Sequence, residues 1–200
     1  MTAIPALTPQ RFRHAIGELS ARDRDLARIC EHHGPPVLRT RPSGFPALLR
    51  IIVEQQLSVA SARAIWGRLE GILGAVTPER LLSFDDATLR SAGLSRPKLV
   101  YARGLADAVM SGDLDSGRLA MLDDEAAIEE LIRVKGIGRW TAEIYLLSAL
   151  GRPDVWPVDD LAIATAAGRV KGFDARPTRA ELLVMGEAWR PWRSVAARLL

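Results

Sequence analysis

The stretch 131–163, LIRVKGIGRWTAEIYLLSALGRPDVWPVDDLAI, decides how this chain is read. An apolar helical pattern runs to Val134, breaks at Gly136-Ile137-Gly138 and restarts as a second helix. A turn at Gly151-Arg152-Pro153-Asp154 follows, and then two adjacent carboxylates, Asp159 and Asp160, at the head of a third helix. Two glycines around one apolar residue permit a tight, partly left-handed turn and the close approach of another molecule. Ile137 then plugs the space between the helices. The N–H groups that open the second helix point outward, and the helix dipole there favours an anion. Such a helix–hairpin–helix can grip a nucleic-acid phosphate without reading bases. Its candidate contacts are Lys135, Gly136, Ile137, Gly138, Arg139 and Thr141, with Lys135 and Arg139 adding charge. The plainer reading is an αα-hairpin whose glycines only permit the turn. The acids also have a plain reading, N-capping, worth about 1 kcal/mol. Two adjacent acids exceed what one cap needs, so one of them is a candidate for chemistry.

Outward from this segment the pattern stays helical. Phe12, Ile16 and Leu19 recur at helical spacing, and Ser20 with Asp23 resembles a cap before a helix carrying Leu26, Ile29 and Cys30. Helices are predicted over 45–55, 57–73, 78–83, 86–92, 95–110, 124–134, 160–170, 178–186 and 187–200. The loops at 34–44 and 111–123 can mark crossings between two lobes. Residues 1–8 read as an extended lead-in. No segment alternates with period two, so the fold class is all-α: about ten short helices in two lobes, with a cleft between them.

Composition narrows the function classes. The formal charge is +3 and the pI about 9.5, which permits a polyanionic partner without requiring one. Lys98, Lys135 and Lys171 are the only lysines, so arginine carries nearly all the positive charge. The single cysteine, Cys30, excludes an intrachain disulfide and any four-cysteine zinc or iron–sulfur site. Cys30 with His32 and His33 lacks a second ligand cluster and reads as a helix end. No apolar run reaches the roughly 18 residues of a membrane span, and no signal pattern opens the chain, so a soluble, cytoplasmic setting is expected.

The run GIGRWTA at 136–142, followed by WPVDDLAI at 156–163, resembles the helix–hairpin–helix DNA glycosylase superfamily, in its 3-methyladenine DNA glycosylase II branch. IIVEQQLSV at 51–59 resembles a further family segment, with Glu54 where glycine is usual. GLSRPK at 93–98 and WRPWRS at 189–194 extend the likeness over roughly residues 30–200.

The resemblance implies a single glycosylase domain over 1–200, without the extra N-terminal β-domain of some members. It implies a monofunctional enzyme that cuts the N-glycosidic bond of alkylated purines, of the 3-methyladenine and 7-methylguanine type, in base excision repair. Its partner is double-stranded DNA with a damaged base flipped out of the stack. Removal of deaminated or etheno bases on the same scaffold, or DNA binding without catalysis, are the alternatives. By similarity the catalytic carboxylate is Asp160, with Asp159 as the fallback. Bifunctional relatives carry a lysine nucleophile at the position of Trp140, which has no amine to offer. Gln56 sits where relatives place the wedge that fills the gap left by the flipped base. Trp140, Tyr145 and Phe45 are base-pocket candidates. The carbonyls of Ile132, Val134 and Ile137 are candidates to hold a structural Na+ or K+. No cofactor is otherwise required, no iron–sulfur cluster is expected, and a monomer is the default. In a prokaryote the protein would associate with the nucleoid, and in a eukaryote it would be nuclear.

Overall fold

The computed structural model describes residues 4–200; the first three residues of the expected lead-in lie outside them. The described residues form thirteen helices and no strand. In chain order these are α1 (Pro9–Arg22), α2 (Arg24–His33), α3 (Phe45–Glu54), α4 (Val59–Leu73), α5 (Pro78–Leu82), α6 (Asp86–Ser91) and α7 (Arg96–Met110). Then follow α8 (Ser116–Met121), α9 (Asp124–Leu131), α10 (Arg139–Ser148), α11 (Leu161–Val170), α12 (Arg179–Glu187) and α13 (Arg193–Leu199). No described helix is long and apolar enough to cross a membrane.

The chain divides into two compact units. The first is built from Arg41–Tyr145, the second from Pro5–Thr40 with Leu146–Leu200. One change of unit falls in the 34–44 loop, as the sequence suggests. The other falls inside α10 and not in the 111–123 loop. That loop buries Leu114 and Leu119 and contains α8, capped by Asp115 through a 2.6 Å bond from Arg118 N–H, so it belongs to the first unit.

In the first unit α7 packs against α3, α5 and α6. Seven of the ten residues of α3 are buried, Leu48, Leu49, Ile51, Ile52 and Val53 among them. Burial of that many large apolar side chains, each contributing about 1.5–3 kcal/mol, overrides the weak helix propensity of its isoleucines and valine. Ser58 caps α4 by accepting from Ser61 N–H at 3.2 Å, which starts this helix two residues later than its apolar pattern alone predicts.

In the second unit Phe12, Ile16, Leu19 and Leu26 of α1–α2 share a core with Trp156, Leu182, Trp189, Trp192 and Leu199. Trp156 and Trp189 meet edge to face, centroids 5.1 Å apart, a geometry the ring quadrupoles favour. The helix predicted over 187–200 is instead a turn through Pro191 followed by α13. Proline has no N–H to continue a helix and clashes with the preceding turn. Asp23, and not Ser20, caps α2, its Oδ1 accepting from Asp25 and Leu26 N–H.

Candidate DNA interface and catalytic carboxylate

The hairpin lies in the first unit. After α9 the chain tightens, with Arg133 N–H donating to Glu130 O, Val134 N–H to Leu131 O and Ile137 N–H to Val134 O. These three-residue turns end α9 at Leu131, earlier than the apolar run to Val134 predicts. Gly136 has φ +93°, and a Cβ placed on it would stand 2.2 Å from the Tyr101 ring. Only glycine fits there. Ile137 is buried, plugging the hairpin. Gly138 is exposed, and a Cβ on it would meet nothing within 4 Å. The backbone at Gly138, where the chain enters α10, is therefore open to an approaching group.

The charges around the turn divide unequally. Lys135 is exposed and forms no ion pair among the described residues. The Arg139 guanidinium binds Glu125 through two bonds, 3.0 and 2.6 Å, and Glu143 at 3.0 Å. The hydrogen bonds that Arg139 donates to Glu125 raise its pKa further, so Arg139 is a clamp between α9 and α10 and its charge is met within the hairpin. Thr141 is buried, and its hydroxyl accepts from Gln55 at 2.9 Å. It shapes the turn from inside. Withdrawn from regular helical bonding, the carbonyls of this segment are the donor type a hard monovalent cation takes; that of Val134 accepts from Ile137 N–H at 3.0 Å and keeps a second lone pair.

The turn between α3 and α4 faces the same groove. Gln56 is exposed with φ +55°, the one non-glycine residue at positive φ among the described residues. A left-handed non-glycine residue costs on the order of 1–3 kcal/mol and persists only where its surroundings impose it. Just before Gln56, Lys98 Nζ donates to Val53 O and Gln55 O, both at 2.7 Å, placing a cation on the carbonyl end of α3. Burial lowers the Lys98 pKa. Glu54, the departure from glycine, binds Arg41 at 2.9 and 3.2 Å and Arg50 at 3.0 Å. Two guanidinium groups thus offset an acid placed at the unfavourable end of a helix. A hollow of about 620 Å³ lies between this turn and the hairpin, lined by Gln55, Gln56, Lys98, Tyr101, Gly136 and Gly138.

The other aromatic candidates differ in exposure. Trp140, in the first turn of α10, is half-buried. Tyr145 is fully buried, its hydroxyl oxygen accepting from Gly44 N–H at 2.9 Å, and burial raises its pKa. Phe45 is buried as well.

The acids lie in the second unit. Asp160 is the N-cap of α11, its Oδ1 accepting from Ala162 and Ile163 N–H at 2.9 and 3.0 Å. The cap and the half-buried carboxylate are the same residue, so capping fixes the orientation of the carboxyl group. Asp159 is exposed and meets Arg179 Nε at 3.2 Å. Both acids line a hollow of about 340 Å³ with Arg176, Thr178 and Arg179. Sequence reading missed what holds this segment. Ser194 Oγ accepts from Val155 N–H at 2.8 Å and donates to Val155 O at 3.0 Å. Arg193 binds Asp154 at 2.9 and 3.0 Å. Through Arg193 and Ser194 the run WRPWRS thus braces the extended segment that leads to Asp160. Among the described residues no group of three or more His, Cys, Asp or Glu side chains could hold a metal ion.

Residues 49–194 match the family described as "HhH-GPD superfamily base excision DNA repair protein". The DNA-3-methyladenine glycosylase 1 of Schizosaccharomyces pombe is 32% identical over 86% of this chain and 77% of its own length. A crystal structure of DNA-3-methyladenine glycosidase from Bacillus halodurans, 37% identical, superposes with a TM-score of 0.78 over 92% of this chain and 85% of that one. A structure of the Schizosaccharomyces pombe 3-methyladenine DNA glycosylase in complex with abasic DNA gives a TM-score of 0.84 at 31% identity, over 93% and 94%.

Proposed function

The chain belongs to the HhH-GPD superfamily of base excision DNA repair proteins, and from that premise we propose that it is a monofunctional DNA glycosylase. It hydrolyses the N-glycosidic bond of alkylated purines of the 3-methyladenine and 7-methylguanine type in double-stranded DNA. The observation that carries this reading is the joint presence of a glycine hairpin with an open Gly138 backbone and a half-buried carboxylate fixed at the head of α11. The names of the yeast and bacterial relatives support the alkylated purine as substrate, and the relative in complex with abasic DNA supports duplex DNA as partner.

The chemistry asks little of the protein beyond placement and charge. A phosphate sits on the N–H groups that open α10 with Lys135 beside it, which sets register without reading sequence. Gln56 fills the gap left by the extruded nucleotide, whose unstacking costs a few kcal/mol and least at a damaged pair. Among the three aromatic candidates Trp140 keeps exposed surface, and its face suits an electron-poor alkylated base. Loss of a cationic base leaves oxocarbenium character on the sugar. The Asp160 carboxylate stabilises that charge and orients the attacking water. Trp140 has no amine with which to form a Schiff base, so the product is an abasic site. A Na+ or K+ held by the carbonyls of Ile132, Val134 and Ile137 would add positive charge beside the bound phosphate.

Duplexes carrying one defined lesion each test the reading. Release of free 3-methyladenine or 7-methylguanine, with sites that break only on alkali treatment, is the expected result. Breaks formed without alkali contradict the monofunctional assignment, and release from deaminated or etheno lesions alone contradicts the substrate class.

A further inference from the structure

Gln55 stands beside the wedge candidate, and all its polar groups with partners in the structure are bound to something else. Its backbone N–H donates to Ile51 O at 3.1 Å and closes α3. Its carbonyl accepts from Lys98 Nζ at 2.7 Å. Its side-chain Nε2 donates to Gly136 O at 3.1 Å and to Thr141 Oγ1 at 2.9 Å. One amide thus reaches across the hollow to the turn of the hairpin and to the first turn of α10. The next residue is Gln56, held at φ +55°.

The residue type is dictated by the partners. Gly136 O only accepts, so the group facing it must donate. A primary amide has two N–H donors on one nitrogen and serves both oxygens at once. A carboxylate of the same shape would set a negative charge against the Gly136 carbonyl.

Resting on the glycosylase reading above, we propose that Gln55 is a positioning residue that locks the Gln56 turn in register with the phosphate-gripping hairpin. Phosphate capture and wedge insertion then occur as one event. A protein without the link still holds DNA through the hairpin, but its wedge turn is free to shift relative to the strand it must enter.

The test is the pH profile of Gln55→Glu against wild type, with Gln55→Ala as reference. Charged, the new carboxyl group cannot donate to Gly136 O; protonated, its O–H restores that bond. The charged and titratable groups facing this position are Lys98 and Tyr101 on α7, which line the same hollow, and Glu54 at the end of α3, engaged by Arg41 and Arg50. All are common to the three proteins, so rate ratios isolate residue 55. Single-turnover base release by Gln55→Glu is expected to be 10- to 100-fold below wild type at pH 8 and to gain about two-fold or more on wild type by pH 5, as the carboxyl group begins to protonate. Gln55→Ala is expected to stay low throughout. Affinity for undamaged duplex should change less than three-fold in both variants. Fluorescence of a 2-aminopurine beside the lesion should report impaired wedge insertion in the same pH-dependent way. A Gln55→Glu to wild-type ratio independent of pH, or excision and duplex affinity falling together, overturns the link alone. Wild-type protein that releases no base from any lesion overturns the glycosylase reading beneath it.

Discussion

Gly136 and Gly138 stand two residues apart, and each is glycine for a different reason. At Gly136 the backbone is left-handed and the Tyr101 ring lies where a Cβ would go. Gly136→Ala is therefore expected to destabilise the protein by about 2–4 kcal/mol through backbone strain and overpacking, and to abolish duplex binding with it. At Gly138 nothing inside the chain forbids a side chain. Gly138→Ala should leave the thermal midpoint within about 2 °C of wild type, since a substitution that strains nothing moves stability by only tenths of a kcal/mol. Its affinity for undamaged duplex should nevertheless fall several-fold, because the methyl group occupies the path of the phosphate. Unchanged affinity would place the phosphate elsewhere. At this scale the sequence was informative about residue type and poor about partners. GxG announced the turn, but the commitment of Arg139 to Glu125 and Glu143 depends on α9 lying beside α10. The inward rotation of Thr141 depends on Gln55, more than eighty residues away.

At the scale of elements, α11 is fixed at both ends. Asp160 caps its start, and Lys171 at its C-cap donates to Asp23 at 2.6 and 2.7 Å and to Asp25 at 2.9 Å. Asp23 also caps α2 and accepts from Trp189 Nε1 at 2.7 Å. Desolvation works against the charge on each member. Hydrogen bonds from Lys171 and Trp189 nonetheless hold Asp23 below the ordinary carboxylate range, and those to Asp23 and Asp25 hold Lys171 above the ordinary lysine range. The Asp23 contribution is thus present above the unfolded value of about pH 4 and lost as pH falls through the lower folded value. The Lys171 contribution is present below about pH 10 and lost as pH rises through its raised folded value. A thermal midpoint level from pH 5 to 9 and falling below pH 4 is expected. Lys171→Met should lower stability by about 3 kcal/mol by stranding two carboxylates, and should flatten the acid limb. An acid limb as steep as that of wild type would assign the loss to other groups. Capping is a local matter of residue type, as Thr77, Ser95 and Thr178 at the heads of α5, α7 and α12 show. The Asp23–Lys171 link was not legible in sequence, because it joins residues 148 positions apart, and the capping pattern around Asp23 says nothing of a lysine so distant.

At the scale of the molecule, the all-helical fold followed from the absence of period-two alternation, and the unit boundary near residue 40 from a loop rich in proline and glycine. The second boundary was hidden because it falls within α10, where the helical pattern continues unbroken. The family likeness was carried by segments whose reasons now separate. EQQLS and the hairpin share a groove in one unit, while WRPWRS braces the segment leading to Asp160 in the other. We propose that Asp160 is the carboxylate that acts on the sugar, with Asp159 engaged by Arg179 at the surface. Asparagine is the apt replacement, since its amide oxygen can still cap α11. The direct measurement is single-turnover release of 7-methylguanine from a duplex by wild type, Asp160→Asn and Asp159→Asn, with duplex affinity measured alongside. A loss of roughly 100- to 1,000-fold or more is expected for Asp160→Asn with affinity kept or tightened, and a change below about ten-fold for Asp159→Asn. Near-normal release by Asp160→Asn, or its collapse in Asp159→Asn alone, would contradict it.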